Sequence, residues 1–205
     1  MDAPEPVPTA RDALLRAARE ELAEKGHAAV GLRAVARRAG VSHAAPAHFF
    51  GDRAGMLTAV AVDGFDLLDA RLQAAARDAA ADGRSPLAAL GLAYVDFGLA
   101  EPALADLMFR RSELAADDPR LLDARRRTLG RLRAAVGEIA GGSGAGAADW
   151  SLISWALAHG LVSLAREGVL APMADRGEEE AADLARDLVV RFAAGVRAEG
   201  EGDAD

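Results

Sequence analysis

Residues 32–50 read LRAVARRAGVSHAAPAHFF, and this stretch decides the fold. Leu32 to about Ala39 has helical spacing. Val35 and Ala36 point one way, and Arg33, Arg37 and Arg38 point the other. Gly40 follows, where a left-handed residue ends a helix at little cost. Val41 is apolar, and Ser42 is a good N-cap for a second short helix from His43 to about Phe50. Counted from that cap, Pro46 is the fourth helical residue and removes one early hydrogen bond at modest strain. A helix, a Gly-Val-Ser turn and a helix within about 20 residues is the helix-turn-helix layout.

Working outward, Arg11 to Lys25 carries Leu14, Leu15, Ala18 and Leu22 at helical spacing, and Gly26 stops it. Val30 and Leu32 re-enter the core. After Gly51-Asp52 a long helix runs to about Ala81, with Met56, Leu57, Val60, Phe65, Leu68 and Leu72 as its apolar stripe. Ser85-Pro86 pairs an N-cap with a first-turn proline and opens a helix through Leu99. Pro102 opens a short helix, and Asp118-Pro119 opens another through Ala140. The Gly-rich run 141–146 reads as a flexible break. Trp150 to Glu167 is apolar almost all round. A loop from Gly168 to Gly177 leads to a last helix, Glu178 to Arg197, with acidic residues at its positive end. Gly200 to Asp205 is expected to fray. The reading is all-α, about nine helices: three before residue 51 and six after.

Composition agrees. Of 205 residues, 51 are Ala, two are Ile and three are Thr, a mix that favours helix over sheet. There is no Cys, which excludes a disulfide scaffold and thiolate metal sites. No apolar run approaches the ~18 residues of a spanning helix, so no membrane partner is expected. Met1 to Ala10 is acidic and proline-rich without a basic segment before an apolar core, so no secretory signal is expected and the location reads as cytoplasmic. The net charge is −8. Residues 1–57 nevertheless hold eight basic and seven acidic residues and three of the four His. A locally basic head on an acidic body is compatible with DNA binding by one end.

The stretch Arg11 to Leu57 resembles the head of the TetR family of transcriptional regulators. Ala17-Ala18, Gly26, Val35-Ala36, Ala39-Gly40-Val41-Ser42, Phe50 and Met56-Leu57 carry the likeness. Trp155, His159 and Gly160, with the stretch from Phe97 to Pro102 and Leu107-Met108-Phe109 upstream, resemble the TetR subgroup with a Trp-His-Gly C-terminal domain. The chain departs from the family where Ala47 stands in place of a usual Tyr and Arg53 in place of a usual Lys.

The resemblance implies a ligand-responsive transcriptional regulator. It would be a repressor that binds a palindromic DNA operator as a homodimer and is released by a small, largely apolar effector. Residues 1–51 would bind DNA, and residues 52–205 would bind ligand and dimerise. The DNA surface would be Ser42, His43, Ala44, Ala45, Ala47 and His48 of the recognition helix, with Arg33 and Arg53 on phosphates. Ala methyls can meet thymine methyls, and His can bond purine edges or phosphate. Arg37 and Arg38 read as solvated or paired within the chain, and Val35, Val41, Phe49 and Phe50 as head core.

Phe65, Tyr94, Phe97, Met108, Phe109, Trp155 and His159 are candidate ligand contacts, although such a stripe also reads as ordinary core. Trp155 and His159 are i, i+4 and share a face. A mid-helix Gly160 suggests close approach of another helix. Leu157, Leu161, Leu164, Leu184, Leu188 and Phe192 are candidate dimer contacts. The second apolar face of Trp150–Glu167 must meet something, and a four-helix bundle between subunits would hide it. No cofactor, metal site or catalytic motif is expected. The competing class is a helical small-molecule binder or enzyme whose head no longer reads DNA.

Overall fold

The computed structural model describes residues 9–139 and 145–202. The runs 141–144 and 203–205, which include most of the expected glycine break and the end of the expected tail, lie outside the described residues. The described chain is helical, with nine α-helices and short 3-10 turns and no strand. It divides into two compact units, residues 1–65 with 101–124 and residues 66–100 with 125–205. None of the described helices is by itself long and apolar enough to cross a membrane.

In the first unit, α1 (Ala10–Lys25) opens on a capping box. The Thr9 hydroxyl accepts from the Asp12 amide, and the Asp12 carboxylate accepts from the Thr9 amide at 3.0 Å. Leu14, Ala18 and Leu22 recur one turn apart and are fully buried, as are Val30, Val35 and Ala36. Gly26, at φ 73°, turns the chain, and its amide donates to the Leu22 carbonyl. α2 (Leu32–Arg38) and α3 (Ala45–Phe50) follow.

α4 (Arg53–Ala81) starts on the Asp52 carboxylate, which accepts from the Gly55 amide at 2.8 Å. The helix is continuous, and its residues through Phe65 belong to the first unit and those from Asp66 to the second. α6 (Pro102–Phe109) packs on α1. Gly64 of α4 lies so near α6 that a Cβ there would come within 2.8 Å of the Met108 sulfur. Thr58, buried, donates to the Ala54 carbonyl and accepts from the Ala115 amide.

In the second unit, α5 (Pro86–Ala100) is packed against α8 (Ala145–Arg166) and α9 (Ala181–Gly202). Ser85 caps α5 through the Ala88 amide. A Cβ on Gly98 would lie 2.6 Å from a Val162 methyl, and one on Gly91 would lie 2.1 Å from a Val189 methyl. The close approaches therefore fall on α5. Gly160 has nothing within 4 Å of where its Cβ would be, so the expected neighbouring helix is not found among the described residues. Val95, Leu161, Val162, Leu184 and Val189 form the apolar core between these helices. Within the same unit, Asp66 and Asp69 of α4 pair with Arg127 and Arg131 of α7 (Pro119–Ile139).

α8 begins five residues before Trp150, so Ala145 and Gly146 are helical rather than part of a break. The last helix is shortened at its start, because Glu178–Glu180 form a 3-10 turn. Its end runs on to Gly202, past the expected onset of the tail.

Candidate nucleic-acid interface

The α2–α3 pair is placed by its ends. The amide of Val41 donates to the Ala36 carbonyl with Gly40 at φ 67°, which reverses the chain after α2. Ser42 does not cap α3. Its carbonyl instead accepts from the Ala45 amide in a turn, and α3 starts at Ala45 without a side-chain cap. The backbone of Ala44 is already helical, so the helical path begins closer to Ser42 than the cap rule requires. Pro46 is accordingly the second helical residue, not the fourth. An amide there has no intrahelical acceptor, so the proline removes no hydrogen bond, and its ring is buried.

His43, Ala44, Ala47 and His48 are exposed, as is Ser42, and Ala45 is half-buried. Phe49 is also exposed, at 40%, and its ring stands edge-on to His48 at 5.0 Å. This corrects its reading as head core; Val35 is core as expected. Phe50 is half-buried, with the Arg11 guanidinium 5.7 Å from its ring centroid.

The head cations sort into two kinds. Arg53 is bonded within the chain. Its Nε donates to the Val30 carbonyl at 2.9 Å, its Nη2 to the His27 carbonyl at 2.7 Å and its Nη1 to the Glu113 carboxylate at 2.7 Å. The guanidinium fork thus ties the start of α4 to the α1–α2 connection and to the turn after α6. The Arg53 hydrogen bond holds the Glu113 carboxyl below the usual carboxylate range. Glu113 is 60 residues from Arg53, a separation at which no local pattern gives warning.

Arg38 is likewise spent within the head. It donates to Glu21 at 2.8 Å and to both oxygens of Glu24, joining α2 to α1. Glu21 is 3% exposed and also receives Lys25 at 2.6 Å. These bonds, with Lys25 the largest influence on Glu21 and Arg38 the largest on Glu24, lower both carboxyl pKa values. Arg33 and Arg37, by contrast, are exposed, one turn apart on α2, and have no ion-pair or hydrogen-bond partner among the described residues.

The candidate ligand residues fall into two groups. Phe65, Met108 and Phe109 lie in the first unit, where the Phe65 and Phe109 rings meet edge-on at 5.7 Å and Met108 is fully buried. Tyr94, Phe97, Trp155 and His159 lie in the second. There Tyr94 Oη is 2.9 Å from His159 Nδ1, and the Trp155 and His159 rings stack at 5.4 Å. Trp155 is also hydrogen-bonded to Tyr94. An indole N–H can only donate, so Tyr94 accepts from Trp155, and the direction of its bond with His159 Nδ1 follows the imidazole tautomer. Burial pushes the Tyr94 phenol up, so it stays neutral. Phe97 is in the core, with the Arg71 guanidinium over its ring.

The candidate dimer residues differ in how far the chain itself buries them. Leu161 and Leu184 are buried in the second unit's own core. Leu157, Leu164 and Leu188 pack against that core, and Phe192 packs on Trp150. Leu157, Leu164, Leu188 and Phe192 are half-buried. The large apolar side chains that α8 and α9 leave in solvent are Leu152 at 61%, Ile153 at 46% and Val190 at 42%.

A three-helix head with a helix-turn-helix, joined to a helical body, defines a class of DNA-binding regulator. The comparisons agree. The family described as bacterial regulatory proteins, tetR family, matches residues 14–60, and that described as tetracyclin repressor-like, C-terminal domain, matches residues 87–190. The chain belongs to the TetR family of transcriptional regulators. A protein of unknown function from Rhodococcus sp. RHA1 superposes with a TM-score of 0.75 at 32% identity, over 93% of this chain and 98% of that one. A transcriptional regulator from Rhodococcus sp. Rha1 gives 0.63 at 26% identity, over 91% and 97%. LfrR from Mycobacterium smegmatis, a TetR-like regulator in complex with proflavine, shares the fold, with a TM-score of 0.51 at 22% identity over 88% and 93%. No curated protein sequence matches the chain.

Proposed function

We propose that the chain is a cytoplasmic, homodimeric repressor that binds a palindromic DNA operator and releases it when a small, largely apolar effector occupies the body. Within the family it would belong to the Trp-His-Gly subgroup. Residues 1–51 carry the DNA reading, and residues 52–205 carry ligand binding and assembly. The observation that carries this reading is the pairing on adjacent helices of two solvated arginines, Arg33 and Arg37 of α2, with an α3 whose outer face is unobstructed. The first helix of a helix-turn-helix crosses the phosphate backbone while the second enters the major groove. Arg33 and Arg37 are therefore the phosphate anchors, and Arg53 is withdrawn from that role.

Tyr94, Trp155 and His159 supply the polar element of the effector site, the kind of small polar group that orients an apolar ligand. That the TetR-like regulator LfrR was captured with proflavine supports a ligand role for a body of this fold. α4 belongs to both tasks and is the lever. A coupling of about 1–3 kcal/mol would weaken operator binding by roughly 5–150-fold. A second subunit would cover Leu152, Ile153 and Val190, and the open space over Gly160 admits a helix there.

Retention on sheared genomic DNA, followed across a salt series, tests the reading. Binding should fall steeply with salt, and sequencing of the retained fragments should give a two-fold symmetric site. Absence of salt-sensitive retention would sink it. An effector is recognised by release of that DNA together with a change in Trp fluorescence that Trp155→Phe largely removes.

A further inference from the structure

The exposed side chains of α3 and the turn before it are Ser42, His43, Ala44, Ala47, His48 and Phe49. None is Arg, Lys, Asn, Gln, Asp or Glu. The bidentate contacts that recognise guanine and adenine, and the carboxylate contact that recognises cytosine, are thus not available from this helix. What it offers instead is apolar. Ala44 and Ala47 lie one turn apart on the outer face with His48 beside them, and Phe49 flanks that face with its ring edge-on to His48. The only apolar group on the major-groove edges of the four base pairs is the C5-methyl of thymine.

We infer that this protein selects its DNA chiefly by thymine C5-methyl groups, met by Ala44, Ala47 and Phe49. On this inference Arg33 and Arg37 of α2 stay on phosphates, contacts that carry no sequence information. The inference rests on the reading of α3 as the DNA-facing helix and adds the chemical feature that it reads. His43 and His48 are left to supply single hydrogen bonds, which orient the helix in the groove but discriminate less than a bidentate pair.

The test uses the full-length protein and the tightest duplex it selects from a random-sequence DNA pool. That duplex is remade with deoxyuridine in place of thymine, which keeps every Watson–Crick bond and removes only the methyl. Binding should weaken about fourfold for each thymine contacted, the factor that burying one methyl (~0.8 kcal/mol) gives. Ala47→Gly and Phe49→Ala should each abolish the thymine-to-uracil ratio at one position of the half-site and leave it at others. Arg33→Ala should weaken both duplexes alike. Circular dichroism melting checks that the variants fold, and the two variants stand independently of each other.

Equal binding of the thymine and uracil duplexes by wild type overturns the inference while leaving DNA binding by α3 intact. So does a thymine-to-uracil ratio that survives in both variants at every position. Failure of the pool to yield any duplex overturns the reading of α3 and the inference with it.

Discussion

The two compact units both bury an apolar core and differ in what is added to it. In the first, directional bonds also tie two short helices to their longer neighbours. α2 has seven residues and α3 six, and the network of Arg38 with Glu21 and Glu24 and of Arg53 with Glu113 and two carbonyls fixes the α1–α2–α4 arrangement. In the second, helices of 15 to 22 residues meet over glycines, at Gly91 against Val189 and Gly98 against Val162. Hydrogen bonds specify position and orientation. Apolar packing specifies volume and shape. The contrast is therefore between a head whose short helices are also tied by buried and half-buried ion pairs and a body whose long helices cross tightly over glycines of α5.

The largest expected effect tests where the body's apolar surface is spent. Leu161→Asp places a charge in the core and should cost the body several kcal/mol in a chemical melt, enough to prevent folding. Ile153→Asp, on the exposed side of the same helix, should leave the melt nearly unchanged and turn a dimer into a monomer in sedimentation. If Ile153→Asp unfolds the protein or leaves a dimer, the division of α8 into an inner and an assembly face is wrong.

Next in size is the packed contact itself. Gly91→Ala would put a methyl 2.1 Å from a Val189 methyl carbon, and the stiff valine has little room to yield. The expected loss is about 1–3 kcal/mol, with no change in head hydrogen-exchange protection. A neutral Gly91→Ala would show the α5–α9 contact to be loose.

Acid should separate the units. The carboxyls of Glu21, Glu24 and Glu113 titrate below their ordinary value of 4.5 in the folded head. The unfolded chain therefore takes up protons first. The stability these groups contribute is present above about pH 4.5 and is lost as pH falls through their lowered values. Head amides should lose hydrogen-exchange protection in that window before body amides do. Arg38→Ala should remove the share of the pH dependence that comes from Glu24 and destabilise the head already at pH 7. Simultaneous loss in both units would contradict the contrast.

The smallest effect distinguishes bonded from solvated arginines. Arg33→Ala and Arg37→Ala should each reduce the slope of log affinity against log salt by about 0.9. Arg53→Ala should lower the head's melting temperature and leave that slope unchanged, because its guanidinium is already paired with Glu113 and two carbonyls. A reduced slope for Arg53→Ala would return it to the phosphate contacts.

Helix identity and order were legible because apolar spacing, Gly stops and Ser-Pro or Asp-Pro starts are local signals. The starts of α4, α5, α6 and α7 fall where Asp52, Ser85-Pro86, Pro102 and Asp118-Pro119 place them. The start of α3 was misread because Ser42 satisfies the local rule for a cap, yet the turn uses its carbonyl rather than its hydroxyl. Among the candidate site residues, Tyr94, Trp155 and His159 are brought together as the i, i+4 spacing and a shared body suggested. The exposure of Phe49 and the pairing of Arg53 with Glu113 were not legible, because solvent and a carboxylate 60 residues away decide their surroundings.

The sequence by itself determined the all-α class, the helix-turn-helix and the family, since each depends on contacts between residues a few positions apart. Tertiary structure alone decided which arginines are spent within the head, which apolar residues of α8 are left in solvent, and that the tight helix crossings fall on Gly91 and Gly98 rather than Gly160. The reason is that an arginine's partners and a leucine's burial belong to the neighbours that the fold supplies, and those neighbours are distant in the chain.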